Sequence, residues 1–326
     1  MSDAQREGQR EPEIRLGIST CLLGEPVRYD GGHKLDRFLV NTLGEFVTWI
    51  AVCPEVEMGL PTPRPSLRLV GDPEDPRLLM PKTGEDHTDA MKAWARQRVE
   101  ELAEVGLHGF VFKKDSPSSG LFRVKVYNEH GMAQRTGTGM FPRAVMNRFP
   151  LLPLEEEGRL NDMPLRENFI ERVFAYYRWT EMLDHEPTPG GLVKFHTAHK
   201  MTLMAHSPAH YQEMGRLVAQ AGTMAWGELT AAYGGLLMEG LGVMGTPGKH
   251  VNVLQHLMGF LKDHLTSEDK QELLGLIEDY RQGLLPLIVP LTLLKHHLSR
   301  YPVPEWVHQQ VYLHPYPKEL MLRNHV

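Results

Sequence analysis

Between Ile14 and Phe112 the chain alternates short β-branched runs with amphipathic patterns, and that order restricts the fold more than any other feature of the sequence. Ile14 to Ser19 reads as a strand, and His33 to Gly44 places Leu35, Phe38, Leu39 and Leu43 at helical spacing. Val47 to Val52 is a second strand, Asp86 to Val105 a charged amphipathic helix, and Leu107 to Phe112 a third strand. A β, α, β, α, β order implies a parallel sheet with right-handed crossovers, and hence an α/β N-terminal domain. Cys21 then lies just past the first strand, Cys53 at the end of the second and Ser119 in the loop after the third. In a parallel sheet those ends share one edge, where open α/β folds place their ligands.

The remainder divides the chain in two. Phe122 to Tyr127 alternates like a further, antiparallel strand, and Pro164 to Met182 reads as a helix closing the first domain. The Pro- and Gly-rich segment DHEPTPG, Asp184 to Gly190, has the composition of a linker. The expected domains are therefore 14–183 and 191–326. The second reads as all-α, with helical patterns over 192–206, 209–221, 227–240, 249–264, 267–283 and 286–301. Leu284 to Leu294 is the most apolar stretch, too short to span a bilayer and suited to a buried helix entered through Pro286.

Met1 to Glu13 is polar and lacks the apolar run of a secretory signal, so a cytoplasmic location and no membrane partner are expected. In that compartment two cysteines argue for a buried thiol or a ligand rather than a disulfide framework. The formal charge of -6 disfavours nucleic acid, but it lies wholly before residue 191. From Gly191 onward 11 Lys and Arg balance 11 Asp and Glu, alongside 12 of the 17 histidines. Charge alone neither supports nor excludes RNA.

The strand-end loops carry the chemistry. The first reads STCLLGEPVRYDGG, the second VCPEVEMGLPTPRPSLRLVG, the third KKDSPSSG. Singly, a cysteine is most often a small buried hydrophobe and a Ser-Pro-Gly cluster most often a turn. Jointly, at three strand ends beside Gly or Pro, they favour a site. CLLG with RYDG, CPE followed by GL and PR, and SPSSG in place of SPSCG resemble the thiouracil desulfidase family over Ile14 to Phe149. HKMTLMAHSP, KHVNVLQHLMGF, YRQGLLPLIVPLTLLKHH and YLHPYPKELMLRN are similar to the helical domain often fused to it, as in tRNA 4-thiouridine desulfidases.

The resemblance implies a 4Fe-4S cluster held by three cysteines with one iron open, the ligands here being Cys21, Cys53 and position 119. Thiolates suit such a centre, and an open iron acts as a Lewis acid toward a thiocarbonyl sulfur. It also implies Glu55 as the general base that activates water, with Ser116 beside substrate or sulfide. The departure is Ser119, whose hydroxyl replaces a thiolate poorly; the cluster is then weak, incomplete or absent and the chain an inactive Cys-to-Ser form. Natural loss, another ligand and a deliberate exchange all produce this pattern, and the intact SPSSG context favours the last.

Lys113, Lys114 and Arg64, with Arg68, Arg123 and Lys125, flank the motifs and would suit phosphates if they share a face with the pocket. In the helical part Lys249, Arg281, Lys295, Arg300 and Arg323 are the candidate tRNA contacts. His196, His199, His206 and His210 cluster without an acidic or cysteine partner, so structural hydrogen bonding is a better account than zinc. The expected function is removal of sulfur from 4-thiouridine in tRNA, without net redox change. A free thiouracil desulfidase and a non-catalytic RNA-binding adaptor with a decayed cluster site are the alternatives.

Overall fold

The computed structural model describes residues 13–325, so nearly all of the polar Met1 to Glu13 run lies outside the described residues. Contacts divide the chain into two compact units, Met1–Leu160 and Asn161–Val326.

The first unit is built on a four-stranded, wholly parallel sheet in the order β2-β1-β6-β9: β1 Arg15–Ser19, β2 Thr48–Val52, β6 Gly109–Phe112 and β9 Leu154–Glu156. Between β1 and β2 the expected helix is short, α1 Arg37–Asn41, capped by the Asp36 carboxylate on the Leu39 N–H. The long helix α3, Thr88–Val105, makes the crossover to β6. Gly17 of β1 stands opposite Phe110 of β6, and any Cβ there would fall 2.0 Å from the Phe110 ring. The missing side chain lets Phe110 lie flat and stack on Phe112, 4.1 Å between centroids, with Phe141 edge-on at 5.7 Å.

A second, mixed sheet runs β5-β4-β3-β7-β8: β3 Arg68–Val70, β4 Arg77–Met80, β5 Glu85–Asp86, β7 Val124–Tyr127 and β8 Ala133–Gly137. Its inner face, Leu69, Leu78, Val124 and Val126, packs on Met91 of α3 and Met140 of helix α4, Met140–Arg148. β7, expected as an antiparallel addition, pairs antiparallel with β8 and parallel with β3. Only β7 of this sheet is visible in the sequence, because its other strands are two to five residues long and carry little alternation.

The second unit is helical: α5 Met163–His185, α6 Pro189–His206, α7 Pro208–Ala219, α8 Trp226–Gly242, α9 Pro247–Met258, α10 Ser267–Arg281 and α11 Ile288–Arg300, then α12 Glu305–His308 and single turns. Two sequence expectations change here. Helix α5 packs on α6 and α8 within this unit instead of closing the first domain, and the division falls at Leu160/Asn161. The Pro- and Gly-rich segment is a helix start: the Thr188 hydroxyl accepts the Gly191 N–H, with Pro189 in the first turn. Ser207-Pro208 and Thr246-Pro247 repeat the device at α7 and α9. Pro290 sits in the first turn of α11, where its missing N–H costs nothing, while Leu287, Leu291 and Leu294 enter the core with Leu254, Leu257, Leu273 and Ile277. Among the described residues no helix is long and apolar enough to cross a membrane.

Candidate active site

The parallel register decides where the motifs meet. Ser19 pairs with Val52, so β1 and β2 end together, and β6 ends beside them. A single turn of 3-10 helix, Thr20–Leu23, places Cys21 at that edge. Cys53 caps the short helix α2, Pro54–Glu57, and the loop 113–121 follows β6. All three converge on one cavity of about 360 Å³, lined by Cys21, Cys53, Glu55, Arg64, Lys113, Lys114, Ser116 and Ser119 together with Arg28, Tyr29 and Lys34.

Each wall is held by its own hydrogen bonds. The Cys53 N–H donates to Glu57 Oε1 at 2.9 Å, and Arg98 of α3 grips the same carboxylate at 3.0 Å. The third loop turns back on itself through Gly120, whose N–H donates to the Ser116 carbonyl at 2.7 Å. A Cβ on Gly120 would lie 2.7 Å from that oxygen, which is why glycine ends the motif. Strand β9 and the residue after it supply three buried carboxylates. Glu156 Oε1 accepts the Leu121 and Phe122 N–H groups, at 2.8 and 3.0 Å, while Glu157 accepts Lys114 N–H at 2.8 Å and pairs with Lys113 Nζ. Glu155 pairs with Arg159 at 2.8 Å. The sequence reading missed this Glu triplet, and its one visible signal is three adjacent acids after an apolar pair.

Glu55 lies between partners from the second and third motifs. Its carboxylate accepts the Ser118 hydroxyl and the Cys53 thiol, the latter at 3.7 Å, and faces Arg64 Nη2 at 3.8 Å. Since Ser118 spends its proton on Glu55, the 2.9 Å contact between Ser116 and Ser118 is donated by Ser116, whose own oxygen accepts the Ser119 N–H at 3.1 Å. Ser118, fully buried and absent from the sequence candidates, is thus the residue that touches Glu55. Ser116 supports it from behind, and its proton points inward.

Arg64, expected among the phosphate contacts, lines the cavity with its guanidinium already engaged by the protein. Its side chain is 3% exposed, and one guanidinium nitrogen donates to Val27 O, Pro61 O and Thr62 Oγ1 at 3.1 to 3.2 Å. It clamps the second motif to the first. In the second unit Arg323 is likewise buried, donating to Tyr312 O at 2.6 Å and facing Glu167 and Glu171. Lys249 spends its ammonium on the His206 and Met244 carbonyls, Lys295 on Leu313 O, and Arg281 pairs with Glu278. Of the five cations singled out in that unit, Arg300 is left exposed, with its charge acting on Asp269.

The helical histidines are hydrogen-bonded within their unit. His196 meets Tyr233 at 3.1 Å, His199 the Phe195 carbonyl at 2.8 Å, and His250 Tyr312 at 3.0 Å. Burial lowers these three to about 4, 3 and 3 respectively, so they are neutral. His206 is different: burial opposes its charge, but Glu171 at 2.8 Å and the Val243 carbonyl at 2.7 Å outweigh it and raise its pKa.

The cavity thiols are protonated near neutral pH. Burial pushes Cys21 up to about 11 against the pull of Lys113, and pushes Cys53 up to about 12 with Glu55 adding to the effect. Either becomes a thiolate only when a cation replaces its proton. The placement of the donors suits an iron–sulfur group, since two thiols and a buried hydroxyl line one cavity. The donor at position 119 does not, because a serine hydroxyl is a hard, weakly acidic ligand. Among the described residues no three His, Cys, Asp or Glu side chains gather as a metal-binding group.

Comparison with known proteins agrees with the motifs. Residues 16–157 match the family model of 2-thiouracil desulfurase, and residues 200–317 match DUF1722, a family of unknown function. The uncharacterized protein YbgA of Escherichia coli (strain K12) is 31% identical over 161 residues, which are 48% of this chain and 94% of YbgA. A solved structure titled as a [4Fe-4S]-dependent thiouracil desulfidase, TudS, is 28% identical, covers 48% of this chain and 98% of its own, and superposes with a TM-score of 0.39. The chain therefore belongs to the family of this YbgA relative, and within one polypeptide its residues 16–157 match the 2-thiouracil desulfurase model and residues 200–317 the DUF1722 model.

Proposed function

We propose that the cavity is a desulfidase site for 4-thiouridine in tRNA, exchanging a ring thiocarbonyl for a carbonyl by hydrolysis. The observation that carries it is the Glu55 carboxylate, held by Ser118, Cys53 and Arg64 in the same cavity as Cys21 and Ser119. The family's iron–sulfur group, where bound, supplies a Lewis acid for the thiocarbonyl sulfur. Cys21 and Cys53 would hold it, with position 119 as the third ligand, and Ser119 leaves this chain one thiolate short. Glu55 takes the proton of the attacking water, whose oxygen bonds to the ring carbon while sulfur departs as hydrogen sulfide; no electrons are exchanged. Ser118 and Arg64 fix the carboxylate at two points, so the base is aimed before substrate arrives.

The test is sulfide release from thiolated tRNA by Ser119→Cys, with and without Glu55→Gln. The double variant is expected to keep its cluster absorbance and to lose about 10²- to 10⁴-fold in rate, the usual worth of a general base. Equal rates would remove Glu55 from the chemistry. Equal turnover of free thiouracil and tRNA would favour the free-base reading. RNA binding without cluster or sulfide would favour an adaptor.

A further inference from the structure

Beside the first cavity opens a second, of about 380 Å³, which shares Ser66, Leu67, Asp115 and Pro117 with its wall. Three cations line it: Arg68, Lys125 and Arg135. They come from three adjacent strands. Leu69 of β3 pairs with Val126 of β7 in parallel, which sets Arg68 beside Lys125, and Lys125 pairs directly with Arg135 of β8. Leu69 and Val126 point into the core, so the neighbouring cations share the outer face and stand exposed in a row. Like charges placed side by side across a sheet repel and lower stability.

Compensation within the chain is partial. Asp115 pairs with Arg135 at 2.8 Å, and Arg68 lies over the Tyr127 ring at 4.6 Å. No ion pair joins Arg68 or Lys125 among the described residues. The row therefore carries two uncompensated charges at the mouth of the desulfidase cavity, with a ring behind one guanidinium to hold its plane. We infer that this row binds the backbone phosphate of the nucleotide whose thiolated base enters the first cavity. The inference rests on the desulfidase reading for its base and adds what that reading lacks, a feature selecting a phosphodiester over a free base. Arg68 offers a planar fork to two phosphate oxygens and Lys125 a point charge.

The test uses the chain as it stands, so it does not depend on turnover. Fluorescence anisotropy with a labelled tetrauridylate, at several salt concentrations, is compared between the native chain and R68Q/K125Q. Uridine and inorganic phosphate serve as competitors. The double variant is expected to bind the tetrauridylate about tenfold or more weakly, with a salt slope shallower by about 1.4, two contacts at about 0.7 each for single strands. Its uridine affinity and melting temperature should not fall. Unchanged tetrauridylate affinity would overturn the inference. Displacement of the probe by inorganic phosphate as readily as by unlabelled tetrauridylate would show a free-anion site and overturn the backbone assignment. Sulfide release from thiolated tRNA and from free thiouracil by Ser119→Cys tests the desulfidase reading separately. Its absence with both substrates, with the binding difference intact, would remove that reading and leave the phosphate site.

Discussion

Arg64→Ala separates a clamp from a surface cation. The guanidinium Nη1 shares its two protons among Val27 O, Pro61 O and Thr62 Oγ1, and the group faces Glu55. Hydrogen bonds to a charged group contribute about 1.5–3 kcal/mol each, and the adjoining cavity lets water recover part of that, leaving a loss of about 3 kcal/mol. In a unit of this size each kcal/mol moves the midpoint about 2–4 °C, so the first unit should melt about 6–12 °C earlier. Arg64→Lys keeps the charge but not the planar fork, and should recover less than half. Differential scanning calorimetry of the full chain, without RNA, reads the shift. A solvated surface arginine would leave stability within about 0.5 kcal/mol, and that result would refute the clamp.

Three further outcomes follow from the geometry. Gly120→Ala should displace the third loop, because its Cβ meets the Ser116 carbonyl; faster amide exchange over 116–121 with the far-ultraviolet spectrum unchanged is expected, and native protection there would contradict it. Stability should fall as pH drops from about 6.5 toward 4. His196, His199 and His250, lowered to about 4, 3 and 3, take up protons in the unfolded chain before the folded one. Thermal melts across that range test it, and a flat profile would contradict it. His206 and Glu171 run otherwise: the raised His206 stabilises below about 6.5 and loses its share as pH rises through its folded value, while the lowered Glu171 stabilises above about 4.5 and loses its share in stronger acid. Glu171→Gln should therefore bring the His206 ring below its native pKa, read by its proton resonances.

The sheet edge was legible in the sequence because parallel strands separated by a helix have few arrangements, and β1, β2 and β6 each carry a short run dominated by apolar residues. The second sheet was not. Its short strands depend on packing against Met91 and Met140, and no local period announces them. The misplaced boundary has a chemical cause, since Thr-Pro-Gly reads as a loop by composition yet supplies a cap and a first-turn proline at α6. Within the site, Cys21, Cys53, Glu55 and Ser119 stood out by motif. Ser118 did not, since only the folded loop shows which serine reaches Glu55. The burial of Arg64 and Arg323 was not legible either, because sequence shows a cation and not whether carbonyls have already taken its protons.

The central claim is that position 119 completes a three-thiolate pocket with Cys21 and Cys53. Anaerobic reconstitution with iron and sulfide, followed by cluster absorbance and iron content, tests it in the native chain and in Ser119→Cys. The account predicts little or no stable cluster in the native chain, and in the variant a cluster of about four irons that releases sulfide from thiolated tRNA. An equally stable, equally active cluster with Ser119 in place would contradict it, as would a variant that takes up no iron.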